Sequence, residues 1–124
     1  MNVSGKTILI TGGAGGLGSA MARLLSQKGA SVFILDLEEN KGTALAEELV
    51  QSGKKAWFCR TDLTSEPDWQ KAFTQALELT GRVDVLVNNA GINIRKPIEE
   101  MSFDEWNTMM RINTGTVFLG CKTA

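Results

Sequence analysis

The stretch Ile8-Leu9-Ile10-Thr11-Gly12-Gly13-Ala14-Gly15-Gly16-Leu17-Gly18 runs from an apolar segment directly into a glycine-rich one. Three consecutive apolar residues predict a buried strand. The glycines that follow predict a tight turn into a helix, with Leu17, Ala20, Met21, Leu24 and Leu25 recurring at helical spacing as far as Lys28. Such a strand–turn–helix lets main chain approach a pyrophosphate closely and aims the first amides of the helix at it.

Working outward, short apolar runs alternate with helical periodicity, the pattern of a parallel α/β sheet. Thr7–Ile10 is the first expected strand. Ser31–Leu35 is the second, apolar throughout Val32-Phe33-Ile34-Leu35 and so expected to be buried on both faces. Asn40–Gln51 is predicted as a helix with Ala44, Leu45 and Leu49 inward, and Ala56–Cys59 as the third strand. Ser65-Glu66-Pro67-Asp68 opens the next helix, since Ser caps, Pro suits the first turn and acids favour the positive helix end. Its inner face reads Trp69, Ala72, Phe73, Ala76 and Leu77. Val83–Val87 is the fourth strand. After a loop through Arg95 and Lys96, expected to be solvated, Ser102-Phe103-Asp104-Glu105 forms a capping box for a helix with Trp106, Met109 and Met110 inward. Right-handed crossovers order the strands 3-2-1-4 in a Rossmann-type doubly wound sheet of three layers, α/β/α. That order leaves the fourth strand as an apolar open edge, from which we expect residues 1–124 to be a single, truncated domain.

Composition narrows the partners. With 13 basic and 14 acidic residues among 124, nothing attracts nucleic acid, and no stretch reaches membrane-span length. Cys59 and Cys121 lack metal-type spacing and are expected to be free thiols in the cytoplasm; no metal site is expected. The chain contains neither His nor Tyr, so its stock of proton-transfer groups is thin.

Asp36 stands at the end of the second strand, about 20 residues after the glycine turn, where a carboxylate accepts hydrogen bonds from an adenosine ribose. It repels a 2′-phosphate, and neither Leu37 nor Gly15 offers a cation to hold one. The expected cofactor is therefore NAD in preference to NADP.

The spacing Thr-Gly-x3-Gly-x-Gly, joined to Asn88-Asn89-Ala90-Gly91 after the fourth strand, resembles the short-chain dehydrogenase/reductase family. Asp62 in Thr61-Asp62-Leu63-Thr64 resembles the family acid that meets the adenine amino group, though an N-terminal helix cap is an alternative from the residues alone. Asn113 resembles the family asparagine that holds a relay water. Mid-helix Asn is unfavourable unless its side chain is bonded or the helix bends. The resemblance implies a cofactor site of Gly12, Gly15, Gly16, Leu17, Gly18, Asp36, Leu37, Asp62, Leu63, Asn89, Ala90 and Gly91, with Asn88 tying adjacent strands and Asn113 as the catalytic-relay residue. It also implies hydride transfer between NAD(H) and a small alcohol or carbonyl substrate, and a homodimer or homotetramer for the full-length enzyme. The family's Ser and Tyr-x3-Lys lie farther along than Ala124. The reading therefore expects an N-terminal cofactor-binding half that is inactive alone. A stand-alone, non-catalytic dinucleotide-binding module is the alternative.

Overall fold

In the computed structural model, which describes residues 2–124, four parallel strands form one sheet in the order β3-β2-β1-β4. The strands are β1 (Thr7–Thr11), β2 (Ser31–Asp36), β3 (Ala56–Arg60) and β4 (Val85–Val87). The helices are α1 (Gly16–Gln27), α2 (Glu39–Gln51), α3 (Glu66–Thr80), α4 (Phe103–Met110) and α5 (Thr116–Thr123). Register is in step from strand to strand: Leu9 pairs with Phe33 and Leu86, and Phe33 with Trp57.

Strand alternation builds two cores from one sheet. Ile8, Ile10, Val32 and Ile34 point to one side and pack with Ala22 of α1 and with Leu45, Ala46 and Leu49 of α2. Leu9, Phe33 and Leu35 point to the other, against Trp69, Ala72, Phe73 and Ala76 of α3 and Leu119 of α5. Every residue from Val32 to Leu35 is fully buried, as a strand covered on both faces requires. Both cysteines are free. Among the described residues no helix is long and apolar enough to cross a membrane.

Several packing expectations are corrected. On α1 the buried face is Gly18, Ala22 and Ser26, whereas Leu17 and Leu24 are exposed. Small residues let this helix lie close on the sheet, and the larger apolar ones flank the contact. On α2 Ala44 faces solvent, and Gly42 and Ala46 go inward instead. On α3 Leu77 is half exposed. On α4 Trp106 and Met110 point outward, and Trp106 stacks on the exposed Phe103 at a centroid distance of 5.9 Å. The strand ends also shift: β4 starts at Val85 rather than Val83. The Asp84 carboxylate accepts the Thr7 amide at 2.8 Å, so a side chain takes the place of a ladder bond there.

Candidate functional site

The C-terminal ends of the strands surround a cleft of about 570 Å3, beside β1, where the chain crosses from the β2–β3 side of the sheet to β4. Its volume lies within the usual range for small-molecule sites, and its position is the switch point of an open α/β sheet. Gly12, Gly15, Gly16, Leu17, Gly18, Asp36, Leu37, Asp62, Leu63, Asn89, Ala90 and Gly91 all line it. Four separate segments of sequence thus meet on one hollow.

The glycines have distinct reasons to be glycine. Gly12 sits at φ +62°, a left-handed conformation that side chains disfavour, and a Cβ there would come within 3.0 Å of the Ala90 Cα. At Gly18 a Cβ would meet the Gly12 carbonyl and lie 2.7 Å from the Gly13 Cα, so its absence lets α1 close over the turn. Gly16 differs: nothing lies within 4 Å of where its Cβ would be. Packing does not explain that glycine.

Neither α1 nor α2 has a side-chain cap, but α2 carries Glu39 in its first turn and α1 carries no acid there. Ser65 caps α3 by accepting the Asp68 amide, and Ser102 caps α4 by accepting that of Glu105. Both helices carry acids in the first turn. At α1 the cap position is Gly15, no side chain caps it and no acid lies in its first turn. Among the described residues the amides of Gly16, Leu17 and Gly18 find no acceptor. Free amides and an uncompensated helix dipole are the features that favour an anion at a helix start.

The carboxylates around the cleft are held in place. Asp36 accepts the Ala14 amide at 3.1 Å through one oxygen and the Glu38 amide at 3.1 Å through the other, joining the end of β2 to the glycine turn. Asp62 accepts both the hydroxyl and the amide of Thr64, at 2.6 and 2.9 Å. These two bonds, and a weaker pull from Arg60 and Arg111, hold its carboxyl below the ordinary range, so it is an ionised acceptor. The cap of α3 is Ser65, which removes the reading of Asp62 as the helix cap.

Asn88 and Asn89 exchange the expected tie between strands. The Asn89 amide group donates to the carbonyls of Thr11 and Gly12, at 3.0 and 3.3 Å, whereas Asn88 faces Cys121 on α5. The reason is the alternation of side chains along an extended segment: Asn89 falls on the side of β1 and its turn. Thr11 was missed by sequence reasoning. Its buried hydroxyl accepts the amides of Asn89 and Ala90 and donates to the Val87 carbonyl, clamping the end of β4 to β1.

Asn113 is the centre of a π-helical turn, Arg111–Gly115, inserted between α4 and α5. Its Oδ1 accepts the Ile92 amide at 2.7 Å and its Nδ2 donates to the Ile92 carbonyl at 2.8 Å. Both conditions that make a mid-helix Asn tolerable are met, a bonded side chain and a local change of helix. The pair of bonds pins the segment after Gly91 against the helix. In that segment Arg95 and Lys96 are both exposed, as expected of a solvated loop, and Lys96 pairs with Glu105 at 2.8 Å on the surface.

Lys41, in the first turn of α2, also lines the cleft and was not singled out from sequence. Its signal was position: it lies one helical turn beyond Asp36 and Leu37, not adjacent to them.

The family model described as short chain dehydrogenase matches residues 6–124. The chain is 40% identical over 120 residues to a cyclopentanol dehydrogenase of Comamonas testosteroni, covering 97% of this chain and 48% of that protein. It is 38% identical over 120 residues to a 3-beta-hydroxysteroid dehydrogenase of the same species, covering 97% and 46%. Among solved structures, a doubly substituted short-chain dehydrogenase/reductase of Serratia marcescens superposes with a TM-score of 0.90 at 29% identity, over 100% of this chain and 51% of that one. A blue fluorescent protein from a metagenomic library, in complex with NADPH, superposes with a TM-score of 0.89 at 35% identity, over 100% and 51%. The chain therefore spans about half the length of the relatives it matches. With the motifs, strand order and match in agreement, this chain belongs to the short-chain dehydrogenase family.

Proposed function

We propose that this chain is the dinucleotide-binding half of an NAD-dependent oxidoreductase acting on a small alcohol or its carbonyl counterpart. The observation that carries the reading is the uncapped N-terminus of α1, opening on a cleft shared with Asp36, Asp62 and Asn89–Gly91. In this reading Gly12, Gly15, Gly16, Leu17 and Gly18 cradle the pyrophosphate, with the free amides at the start of α1 as donors. Asp36 and Leu37 meet the adenosine ribose, Asp62 and Leu63 the adenine, and Asn89, Ala90 and Gly91 wall the ribose side. The Asp36 carboxylate favours two ribose hydroxyls over a 2′-phosphate, which supports NAD over NADP.

When bound, the nicotinamide ring supplies hydride exchange with the alcohol or carbonyl carbon. Asn113 orders a relay water from within the π turn; because both ends of its amide serve Ile92, the water is met by main chain. Matched relatives are named for a cyclopentanol, a cyclohexadiene-diol and a hydroxysteroid, which supports a hydroxyl on a ring as the substrate class. Exposed Phe103, Trp106, Met110 and Phe118 support pairing of subunits through α4 and α5. We place the enzyme in the cytoplasm on its free thiols.

Titration calorimetry of this chain with NAD and ADP-ribose tests the cofactor reading. Saturable binding of both is expected, and no heat with millimolar ligand would overturn it. The alternative, a stand-alone dinucleotide-binding module, draws on the same cleft. Coding sequence past Ala124 separates the two: a Ser and a Tyr-x3-Lys there support the oxidoreductase, and a stop without them supports the module.

A further inference from the structure

Lys41 is the one basic residue among those that line the cleft. It is exposed, stands on the first turn of α2 and forms no ion pair among the described residues. Its ammonium is therefore uncommitted, on a flexible four-carbon stem at the lining of the site. The acids on the same side of the cleft are Asp36, Glu38 and Asp62. Asp36 has both oxygens engaged by the amides of Ala14 and Glu38, and Asp62 accepts two bonds from Thr64. Carboxylates so bonded present less naked charge to a ligand than a bare one does, which leaves Lys41 as the one cation among the residues lining the cleft, with the exposed Glu38 carboxylate as its counterpart.

Resting on the dinucleotide reading, we propose that Lys41 determines cofactor specificity. It supplies the positive charge that a ribose 2′-phosphate needs, and the balance between Lys41 and Asp36 sets how far NAD is preferred over NADP. A site with Asp36 alone rejects the 2′-phosphate. With Lys41 beside it, the same site tolerates that phosphate and keeps a modest preference for the unphosphorylated ribose.

The test uses two probes that differ only at the 2′ position, 5′-AMP and adenosine 2′,5′-bisphosphate, titrated by NMR or calorimetry into this chain. The readout is the ratio of their dissociation constants. One exposed charge facing a phosphate predicts that Lys41→Met shifts the ratio against the bisphosphate by about fivefold, and Asp36→Asn shifts it the other way by a similar factor. Lys41→Arg restores the wild-type ratio to within about twofold, because charge rather than shape is at work. Raising salt shrinks the Lys41→Met effect. A ratio unchanged by Lys41→Met, with both probes still binding, overturns the role of Lys41 and leaves the dinucleotide reading standing. Failure of the wild-type chain to bind either probe overturns both.

Discussion

Gly16 and Gly18 lie two residues apart in one helical turn, yet adding the same methyl group to each should have opposite consequences. At Gly18 the new Cβ meets the Gly12 carbonyl and lies 2.7 Å from the Gly13 Cα and 2.9 Å from the Gly12 carbonyl carbon. All three atoms are main chain in a constrained turn and cannot rotate away. Overpacking of that kind costs about 1–3 kcal/mol or more, so Gly18→Ala should lower the unfolding free energy by at least about 1 kcal/mol. At Gly16 the Cβ meets nothing within 4 Å, and the backbone is helical, with no left-handed conformation to strain. Ala is a better helix former than Gly by up to about 1 kcal/mol, so Gly16→Ala should be neutral or slightly stabilising. Binding should show the reverse for Gly16. On the proposed dinucleotide reading, a phosphate approaches through the open space at Gly16, and a methyl there costs it at least one charge-assisted hydrogen bond. Such a bond is worth about 1.5–3 kcal/mol, or roughly ten- to a hundredfold in affinity. Urea denaturation gives the stabilities and NAD calorimetry the affinities. Equal destabilisation by both substitutions, or undiminished NAD affinity in Gly16→Ala, would refute the assignment of Gly16 as a ligand-facing glycine.

Two other substitutions probe neighbouring parts of the site, and a third probes the opposite end of the sheet. Gly15→Asp places an anion at the empty cap of α1, where the extended backbone accepts it and the nearest atom to a Cβ is 3.4 Å away. Stability should rise by a few tenths to about 1 kcal/mol in urea while NAD affinity falls; a rise in affinity would contradict an anion site at that terminus. Asn113→Ala removes both bonds to Ile92 and should cost about 1–2 kcal/mol, with faster hydrogen exchange at the Ile92 amide; unchanged protection there would show that the segment is pinned by something else. The Asp84 carboxyl is held below its ordinary value, first by the hydrogen bond from Arg82 and then by the Thr7 amide. A depressed folded pKa means that the unfolded chain binds the proton more readily. The stabilisation is therefore complete above the unfolded value near 3.8 and is lost as pH falls through the lower folded one. Asp84→Asn should flatten the acid limb of a stability–pH curve in that window, and an unaltered limb would assign the acid sensitivity to other groups.

The cleft was legible because its parts are local in sequence. A glycine turn after an apolar run, an acid at the end of the next strand and Asn89-Ala90-Gly91 after the fourth each sit at a strand terminus, and a parallel sheet gathers such termini at one edge. What escaped was set by relations the chain does not advertise. The buried face of α1 consists of Gly18, Ala22 and Ser26, which carry little hydrophobic signal; periodicity weighs Leu17 and Leu24 more heavily although they face out. The partner of Asn113 is the main chain of Ile92, and no spacing rule links a side chain to a backbone in another segment. Thr11 reads as the last residue of a strand, and only the pairing of β1 with β4 turns its hydroxyl into a clamp on Asn89 and Ala90. Trp106 and Met110 keep helical spacing but face solvent, because amphipathic periodicity marks a face without saying what covers it.

The capping pattern ties fold to function more closely than the glycines alone. A Ser, Thr, Asp or Asn at a helix start stabilises it by about 1 kcal/mol over an uncapped start, and this sequence places Ser at that position in α3 and α4. At α1 it places Gly15, with no acid in the following turn. The omission is not forced by crowding, since a Cβ on Gly15 would sit at ordinary contact distance from the Gly12 carbonyl. Asp36 then fastens the turn from the opposite side, through the Ala14 amide, without reaching the amides of Gly16, Leu17 and Gly18. The turn is thus rigid while its donors stay vacant. A donor set held in place before its acceptor arrives loses little entropy on binding, which is the physical content of preorganisation. α2 also does without a side-chain cap but keeps Glu39 in its first turn; α1 has neither cap nor acid, although packing leaves room for a cap, and that double omission is the strongest argument for the proposed anion there.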